Sequence, residues 1–346
     1  VKELIMQSQA TASVRQATVL DPRRVEVVRG ELSSLPEGYA RIAVEVCGVC
    51  GSDLTMYRGN HPVIRPPIVL GHEVIGTISE IAGPAAGGFV PGARVAFLPQ
   101  VGCGNCALCR RGDERLCAQM KLIGGQIPGG LAEAVVVPVG NLIGVPDSVP
   151  RLLQVLVEPL AVAVHAAGRV ALTSEDDCVV LGCGPIGALV GFVLRARGVA
   201  KITMVDPDEG RRATMAYFGF HVAEGVPVQP DMYDVAFECV GGAKPAETAL
   251  AAVRADGHVV LVGVAAPALN FSGVQLQRQE RTITGSHMYR RQEFESAFSL
   301  LARGVVPHDA ASLQRLIEIR ELDDIAEIMR QLDSRAVAAL KIVVYP

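Results

Sequence analysis

The rhythm of hydrophobic and polar positions changes once along the chain. Through the first ~155 residues, apolar positions come in short alternating or continuous runs at 41–46, 73–78, 94–98 and 134–137. Turn-forming groups such as Pro36-Glu37-Gly38 and Pro91-Gly92 divide them. Runs of that length between such punctuation predict strands, so this part reads as β-rich. From Leu160 onward, strand-like and helix-like patterns alternate. The run 178–181 predicts a buried strand, the sequence GCGPIG follows at once, and the apolar stretch 188–194 predicts a helix closed by Arg195, Arg197 and Gly198. Further strands are expected at 201–205, 234–237, 258–262 and 282–284, with helices between them. This βαβ alternation predicts a doubly wound parallel sheet of α/β class. After Ser286 the pattern gives a helix over 292–303 and a final strand over 341–344, expected to pack back on the first part. The expected organisation is a β-rich domain over 1–159, a dinucleotide-type domain over 160–290 and a returning segment over 291–346.

Composition narrows the classes. A chain of 346 residues suits two domains better than one. With 50% hydrophobic and 20% charged residues and a mean hydropathy of +0.33, it is not a disordered chain. The 36 glycines and 21 prolines follow no repeat, which removes collagen-like, low-complexity and solenoid readings. A net charge of −4 with no basic run leaves no footprint for a nucleic-acid partner. The longest apolar runs, 155–164 and 259–266, are too short to span a bilayer or are broken by charge and proline, so no membrane partner is expected. Only a short apolar patch, 4–6, marks the N-terminal residues and no signal-peptide core is present, so the expected location is cytoplasmic.

Nine cysteines in such a chain point to metal or redox chemistry before disulfides. Four of them, Cys103, Cys106, Cys109 and Cys117, fall within fifteen residues as C-x2-C-x2-C-x7-C. Short spacers let one loop wrap four thiolates around a tetrahedral ion, and four thiolates leave no open position, which is the pattern of structural zinc. Iron–sulfur clusters also use four cysteines, with different spacing and partner segments.

The glycine pattern Gly182-x-Gly184-x-x-Gly187 is a weak signal alone. Here it follows a predicted strand, opens a predicted helix, and has Asp206 nineteen residues after Gly187 at the end of the next strand. Gly182 permits the tight turn, Gly184 lets backbone approach a pyrophosphate, and Gly187 lets helix and strand pack closely; Pro185 and Ile186 complete the cofactor-binding turn. Asp206 would accept hydrogen bonds from the ribose hydroxyls and repel a 2′-phosphate, which favours NAD. Arg211 and Arg212 keep an NADP reading open, because an arginine can hold that phosphate. The competing structural reading is a glycine-rich turn in another α/β domain.

A second group of metal-type residues lies apart from the cysteine loop: Cys50 in VCGVCGSD, His72 and Glu73 in GHE, and Glu158 in EPLAVAVHA. Thiolate, imidazole and carboxylate suit zinc, and three protein ligands with an open position suit catalytic zinc. Each taken singly has an ordinary structural reading as a buried cysteine, a hydrogen-bonded histidine or an acid in a first helical turn.

These motifs stand in one order: CGSD, GHE, the four-cysteine loop, EPL, GCGPIG with its acid, then GS-x-x-Y ending at Tyr289. Over nearly its whole length the chain resembles the zinc-dependent medium-chain dehydrogenase/reductase superfamily, and most closely its polyol, threonine and butanediol dehydrogenase branch. The resemblance implies a GroES-like β-rich catalytic domain interrupted by a Rossmann domain. It implies that Cys50, His72 and Glu158 hold catalytic zinc, with Cys47 a bystander and Glu73 either ligand or close neighbour. Ser52 is implied to touch the substrate oxygen and start the proton relay, and Asp53 to orient the ligand histidine. The implied reaction passes hydride between a secondary alcohol (polyol, cyclitol, diol or amino alcohol) and NAD, with a small-molecule alcohol or ketone as substrate and a homodimer or homotetramer as the working form. An L-threonine 3-dehydrogenase-type enzyme and a catalytically silent zinc- and nucleotide-binding subunit are the competing readings.

Two departures from the resemblance stand out. Thr55 occupies the position where many relatives carry a relay histidine, and Met288 the position where sorbitol-type enzymes carry an arginine before the tyrosine. Met56, Tyr57 and Met288 are expected to line a pocket less polar than a sorbitol site, with core filling as the alternative for the two methionines. His165 is expected to be a buried, hydrogen-bonded residue, and Cys178, Cys183 and Cys239 to be packing residues.

Overall fold

The computed structural model describes residues 13–31, 34–83, 86–226, 231–263, 268–337 and 339–346. The patch at 4–6 and the end of the run 259–266 lie outside the described residues.

The first part of the chain is built on the strand Tyr39–Gly48, whose residues alternate between a buried and a wetter face. It pairs antiparallel with Glu73–Ile81 on one side and with Ala134–Pro138 on the other. Arg94–Phe97 and Leu142–Gly144 extend the sheet outward from Glu73–Ile81. The final strand, Lys341–Tyr345, pairs antiparallel with Tyr39–Gly48 through Val343 opposite Gly48 and Val344 opposite Cys47, and parallel with Ile317–Glu321. The last residues of the chain therefore run beside the segment that leads into Cys50. A hairpin of Ser13–Asp21 with Arg24–Glu31 lies alongside and was not among the expected strands.

The second sheet has six parallel strands in the spatial order His221–Ala223, Lys201–Val205, Asp177–Leu181, Tyr233–Glu238, Val253–Leu261, Thr282–Gly285. In chain order that is 3-2-1-4-5-6, the doubly wound arrangement whose strand order reverses between Asp177–Leu181 and Tyr233–Glu238. The expected strand at 258–262 starts five residues earlier, at Val253. Arg254, Asp256 and Gly257 in its first half carry no apolar run, so hydrophobic pattern could not mark it. The described residues include no helix long and apolar enough to cross a membrane.

Helix Val157–Ala167 sits between the two sheets and is buried nearly along its whole length, in keeping with the apolar run Leu160–Val164 and the alanines that follow. It packs on helices Pro185–Ala196 and Arg291–Ala302. Leu160, Ala163 and Val164 share one core with Phe192 and Phe294 of those helices and with Val46 and Ile75 of the first sheet. Glu158, in the first turn of this helix, is thereby fixed at the join, where its carboxylate also suits the helix N-terminus.

Candidate functional site

Cys50 is the residue from which helix Gly51–Tyr57 starts, and its backbone N–H donates to Asp53 Oδ2 at 2.8 Å. That closed first turn presents the Cys50 thiol and the Ser52 hydroxyl on one end of the helix. His72 and Glu73 enter the strand Glu73–Ile81 directly opposite, since Gly48 pairs with Glu73. Ligating atoms of Cys50, His72 and Glu73 all lie within 4.8 Å of one another. Asp53, fully buried, places Oδ1 3.7 Å from His72 Nδ1, a charge pair longer than a hydrogen bond.

Glu158 lies outside that tightest trio, yet near enough that its charge acts on His72. Its Oε1 accepts the hydroxyl of the fully buried Tyr289 at 2.7 Å. Glu73 is also fully buried and is claimed on one side by Lys341, whose Nζ donates to Glu73 Oε1 at 2.5 Å and to the carbonyl of Val49 at 3.0 Å. Tyr289 and Lys341 are the two residues the sequence reading did not assign to the site. Lys341 opens the last strand, and only the pairing of that strand beside Cys47 and Gly48 reveals its target.

The electrostatics of this group show a surplus of negative charge. Burial drives the Glu158 carboxyl up to about 7, with Glu73 adding to the rise and His72 opposing it. Burial opposes a charged His72, but Asp53, Cys50 and Glu158 together raise the imidazole well above its usual value. Lys341 is raised in the same way, against burial, by Glu73, Cys50 and Glu158. Four buried side-chain atoms of the cluster have no hydrogen-bond partner: Ser52 Oγ, Asp53 Oδ1, His72 Nδ1 and Glu73 Oε2. A thiol, an imidazole and two carboxylates in one largely buried cluster with excess negative field are what a divalent cation neutralises, so the residues present fit zinc.

The buried pair of Lys341 and Glu73 has a measurable consequence. Lys341→Met keeps the stem but leaves the fully buried Glu73 without its ion-pair partner. Removing one partner of a buried pair typically costs about 3–5 kcal/mol. A lower urea midpoint for the zinc-loaded variant is the expected result, and an unchanged midpoint would show that the pair carries no net stability.

The second cysteine group is equally compact. The sulfurs of Cys103, Cys106, Cys109 and Cys117 lie within 4.8 Å of one another. The Cys109 N–H points at Cys106 Sγ at 3.4 Å and the Gln119 N–H at Cys117 Sγ at 3.4 Å. The Cys109 backbone N–H and the Cys109 thiol pull Cys106 down to about 6, while burial pushes Cys109 up to about 12. The separations of 3.5 Å and 3.9 Å among these sulfurs are far from a disulfide, and all nine cysteines are free. Four thiols with no other donor fit a closed zinc site.

At the nucleotide end, Gly182 has φ of +97° and its N–H bonds to the Val205 carbonyl at 2.7 Å. A Cβ on Gly187 would stand 1.8 Å from the Gly182 carbonyl oxygen, so only glycine permits this approach. A Cβ on Gly184 would meet only Arg211 Nη1 at 3.9 Å, leaving that surface free for a phosphate. Helix Pro185–Ala196 starts here without any side-chain cap, so the free N–H groups of Ile186 and Gly187 face the turn. Asp206 accepts the Cys183 N–H on Oδ2 at 2.8 Å and the Asp208 N–H on Oδ1 at 2.9 Å, and each oxygen keeps a second lone pair. Arg211 stands 3.7 Å from Asp206.

Residues 36–147 match the family described as alcohol dehydrogenase GroES-like domain, and residues 185–303 match the one described as zinc-binding dehydrogenase. The chain is 34% identical to L-idonate 5-dehydrogenase of Vitis vinifera over 279 residues, covering 75% of this chain and 76% of that one. The chain belongs to the zinc-dependent medium-chain alcohol dehydrogenases. Within them it falls in the polyol-dehydrogenase-like branch. It is also 32% identical to sorbitol dehydrogenase of Arabidopsis thaliana, covering 80% of this chain and 83% of that one. Among solved structures, a zinc-binding dehydrogenase of Sinorhizobium meliloti bound to NADP superposes with a TM-score of 0.85 at 26% identity, over 97% of this chain and 100% of that one. This alcohol dehydrogenase is thus an enzyme that moves hydride between a secondary alcohol and a nicotinamide cofactor, and its donor sets fit the zinc on which the family depends.

Other expectations resolve at the level of packing. Met56 is fully buried and Tyr57 nearly so, both in the core of the first sheet; for Met56 this is the core alternative, and Tyr57, expected at the pocket, is a core residue as well. Met288 is half-buried against the core that contains helix Val157–Ala167. The Thr55 hydroxyl is bonded back to the Gly51 carbonyl at 3.1 Å. His165 is buried, with Nδ1 2.8 Å from Glu293 Oε1. Cys178 and Cys183 are fully buried and Cys239 half-buried.

Proposed function

We propose that this dehydrogenase oxidises a secondary alcohol on a polyhydroxylated carbon chain, a sugar acid or sugar alcohol, with NAD as the preferred acceptor. The observation that carries the reading is the convergence of Cys50, His72 and Glu73 beside Glu158 and the unpartnered Ser52 hydroxyl. The similarity to L-idonate 5-dehydrogenase and sorbitol dehydrogenase supports the substrate class. Cys50, His72 and a carboxylate from Glu158 or Glu73 would hold the catalytic zinc, and Cys103, Cys106, Cys109 and Cys117 the structural one. When bound, zinc supplies Lewis acidity that lowers the pKa of the substrate alcohol, and the nicotinamide accepts hydride. Ser52 Oγ would accept the alcohol proton while its own hydroxyl proton passes to water or to the cofactor ribose. Asp53 keeps the His72 ring oriented, and Tyr289 holds Glu158. Gly182, Gly184, Pro185, Ile186 and Gly187 seat the pyrophosphate, while Asp206 receives the ribose hydroxyls.

A dehydrogenase assay with sugar acids, polyols, diols and amino alcohols tests the substrate class. Highest kcat/KM on a sugar acid or polyol is expected, and a clear preference for threonine would overturn it. NAD preference rests on Asp206, whose carboxylate would repel a 2′-phosphate; the adjacent Pro207 offers no N–H to hold one. Steady-state kinetics should give a higher kcat/KM with NAD, and Asp206→Ala should narrow the gap. A higher value with NADP in the parent enzyme, drawing on Arg211, would reverse the assignment.

The nine free thiols go with a cytoplasmic, reducing location. Strand Thr282–Gly285 ends the parallel sheet, and a second copy pairing there would give a homodimer or homotetramer. Sedimentation at working concentration checks this, and a monomer would refute it.

A further inference from the structure

The two groups of metal-type residues are joined through one short piece of backbone. Residues 286–290 connect strand Thr282–Gly285 to helix Arg291–Ala302 and carry Tyr289, the residue that bonds to Glu158. In the middle of this piece, Met288 has φ of +48°. Left-handed backbone is unfavourable for a residue with a Cβ and a long side chain, and it persists only where surrounding contacts impose it.

Those contacts come from the unit that encloses the four cysteines. Arg115 belongs to the turn Glu114–Leu116 immediately before Cys117 and is only 6% exposed. Its Nη1 donates to the His287 carbonyl at 2.9 Å, and its Nε lies 2.9 Å from Asp113 Oδ1. Asp113 Oδ2 in turn meets Arg290 Nη2 at 3.1 Å. Gln100, also buried, donates Nε2 to the Tyr289 carbonyl at 3.3 Å. Gln100 lies in the short strand Gln100–Val101, which pairs with Lys121–Leu122 just beyond Cys117. The carbonyls on both flanks of the strained residue are therefore gripped by buried donors, and Arg290 is tethered from the same unit.

We propose that Arg115 is a positioning residue through which the four-cysteine loop, with Asp113 and Gln100, clamps the strained turn at Met288 and so holds the Tyr289 hydroxyl on Glu158. The loop then serves more than local folding: it sets the placement of a carboxylate beside the catalytic metal. This inference rests on the reading that Glu158 faces that metal. Arginine suits the role because its guanidinium donates Nη1 to the carbonyl while its delocalised charge pairs with Asp113 Oδ1 at 2.9 Å, without hydrogen-bond geometry.

The test uses the loaded enzyme with cobalt at the Cys50 site and zinc kept in the cysteine loop. Arg115→Met, Arg115→Lys, Tyr289→Phe and the double variant Arg115→Met/Tyr289→Phe are compared by three readouts: the visible spectrum of the cobalt, hydrogen exchange of residues 286–291, and kcat. In Arg115→Met, exchange of this segment should quicken while that of helix Val157–Ala167 is unchanged. Its cobalt spectrum should move in the same direction as that of Tyr289→Phe. Loss of a group supporting a metal site typically costs about 10–100-fold, and kcat should fall by about tenfold. Arg115→Lys should recover part of the loss. The double variant should be no worse than Tyr289→Phe, because both act through one contact. Losses that multiply in the double variant, with an unchanged cobalt spectrum in Arg115→Met, would overturn the clamp alone. An unchanged spectrum in Tyr289→Phe would overturn the placement of Glu158 and the clamp with it. Should Arg115→Met not fold, Asp113→Asn loosens the same clamp from its outer side and should show the same exchange and spectral changes, weaker in size; no change in either would overturn the proposal.

Discussion

Cys50→Ser abolishes turnover while leaving a folded protein. Cys50 is half-buried and starts helix Gly51–Tyr57, with its backbone N–H on Asp53. Serine is close in size and is itself a favoured residue at a helix start, so the local fold keeps its form. What disappears is the thiolate, since a serine hydroxyl stays protonated at neutral pH and is a poor zinc ligand. The trio with His72 and Glu73 loses its soft donor, and zinc should fall from two ions per chain to one, the two being the groups brought together here. Cys106→Ser should do the reverse in kind. It breaks a closed four-thiolate set, so stability or assembly suffers first, with activity falling as the loop loosens. Elemental analysis with circular dichroism separates the cases. A Cys50→Ser enzyme with near-normal kcat and full zinc content would refute the assignment of this cluster.

Ser52→Ala cuts kcat strongly with NAD binding nearly unchanged. The Ser52 hydroxyl is buried with no partner, next to Cys50, and so is free for a substrate oxygen. Thr55 is not an equivalent, because its hydroxyl already donates to the Gly51 carbonyl at 3.1 Å. Acid–base steps of this kind typically contribute about 10²–10⁴-fold, and a loss within that range is expected. Thr55→Ala should do much less. The comparison is made where hydride transfer limits the rate, shown by a kinetic isotope effect with deuterated substrate. A near-normal kcat in Ser52→Ala under those conditions would mean that the proton leaves by another route.

Contiguity decided what the sequence could reveal. The four cysteines lie in one loop and the glycine turn lies between one strand and one helix, so spacing alone carries their geometry. Cys50, His72, Glu73 and Glu158 were readable only as a set whose members could be ordinary core residues one by one. Their convergence depends on the antiparallel pairing of Tyr39–Gly48 with Glu73–Ile81 and on burial of helix Val157–Ala167. Lys341 and Tyr289 escaped because each reaches the cluster from far along the chain, Lys341 to Glu73 over 268 residues and Tyr289 to Glu158 over 131. No local pattern marks a residue whose partner is set by the last strand of a sheet. Met56 shows the converse: its place four residues after Ser52 left pocket and core both open, and the short helix Gly51–Tyr57 turns it into the core.

Turnover should depend on zinc at the Cys50 site. The loaded enzyme is treated with a chelator that empties the Cys50 site before the cysteine loop, and NAD reduction by its best sugar-acid or polyol substrate is followed against zinc content. Activity should fall in proportion to zinc lost from the Cys50 site and return on zinc addition, with the loop zinc retained throughout. Full turnover from protein holding one zinc per chain, in the four-cysteine loop alone, would contradict the account.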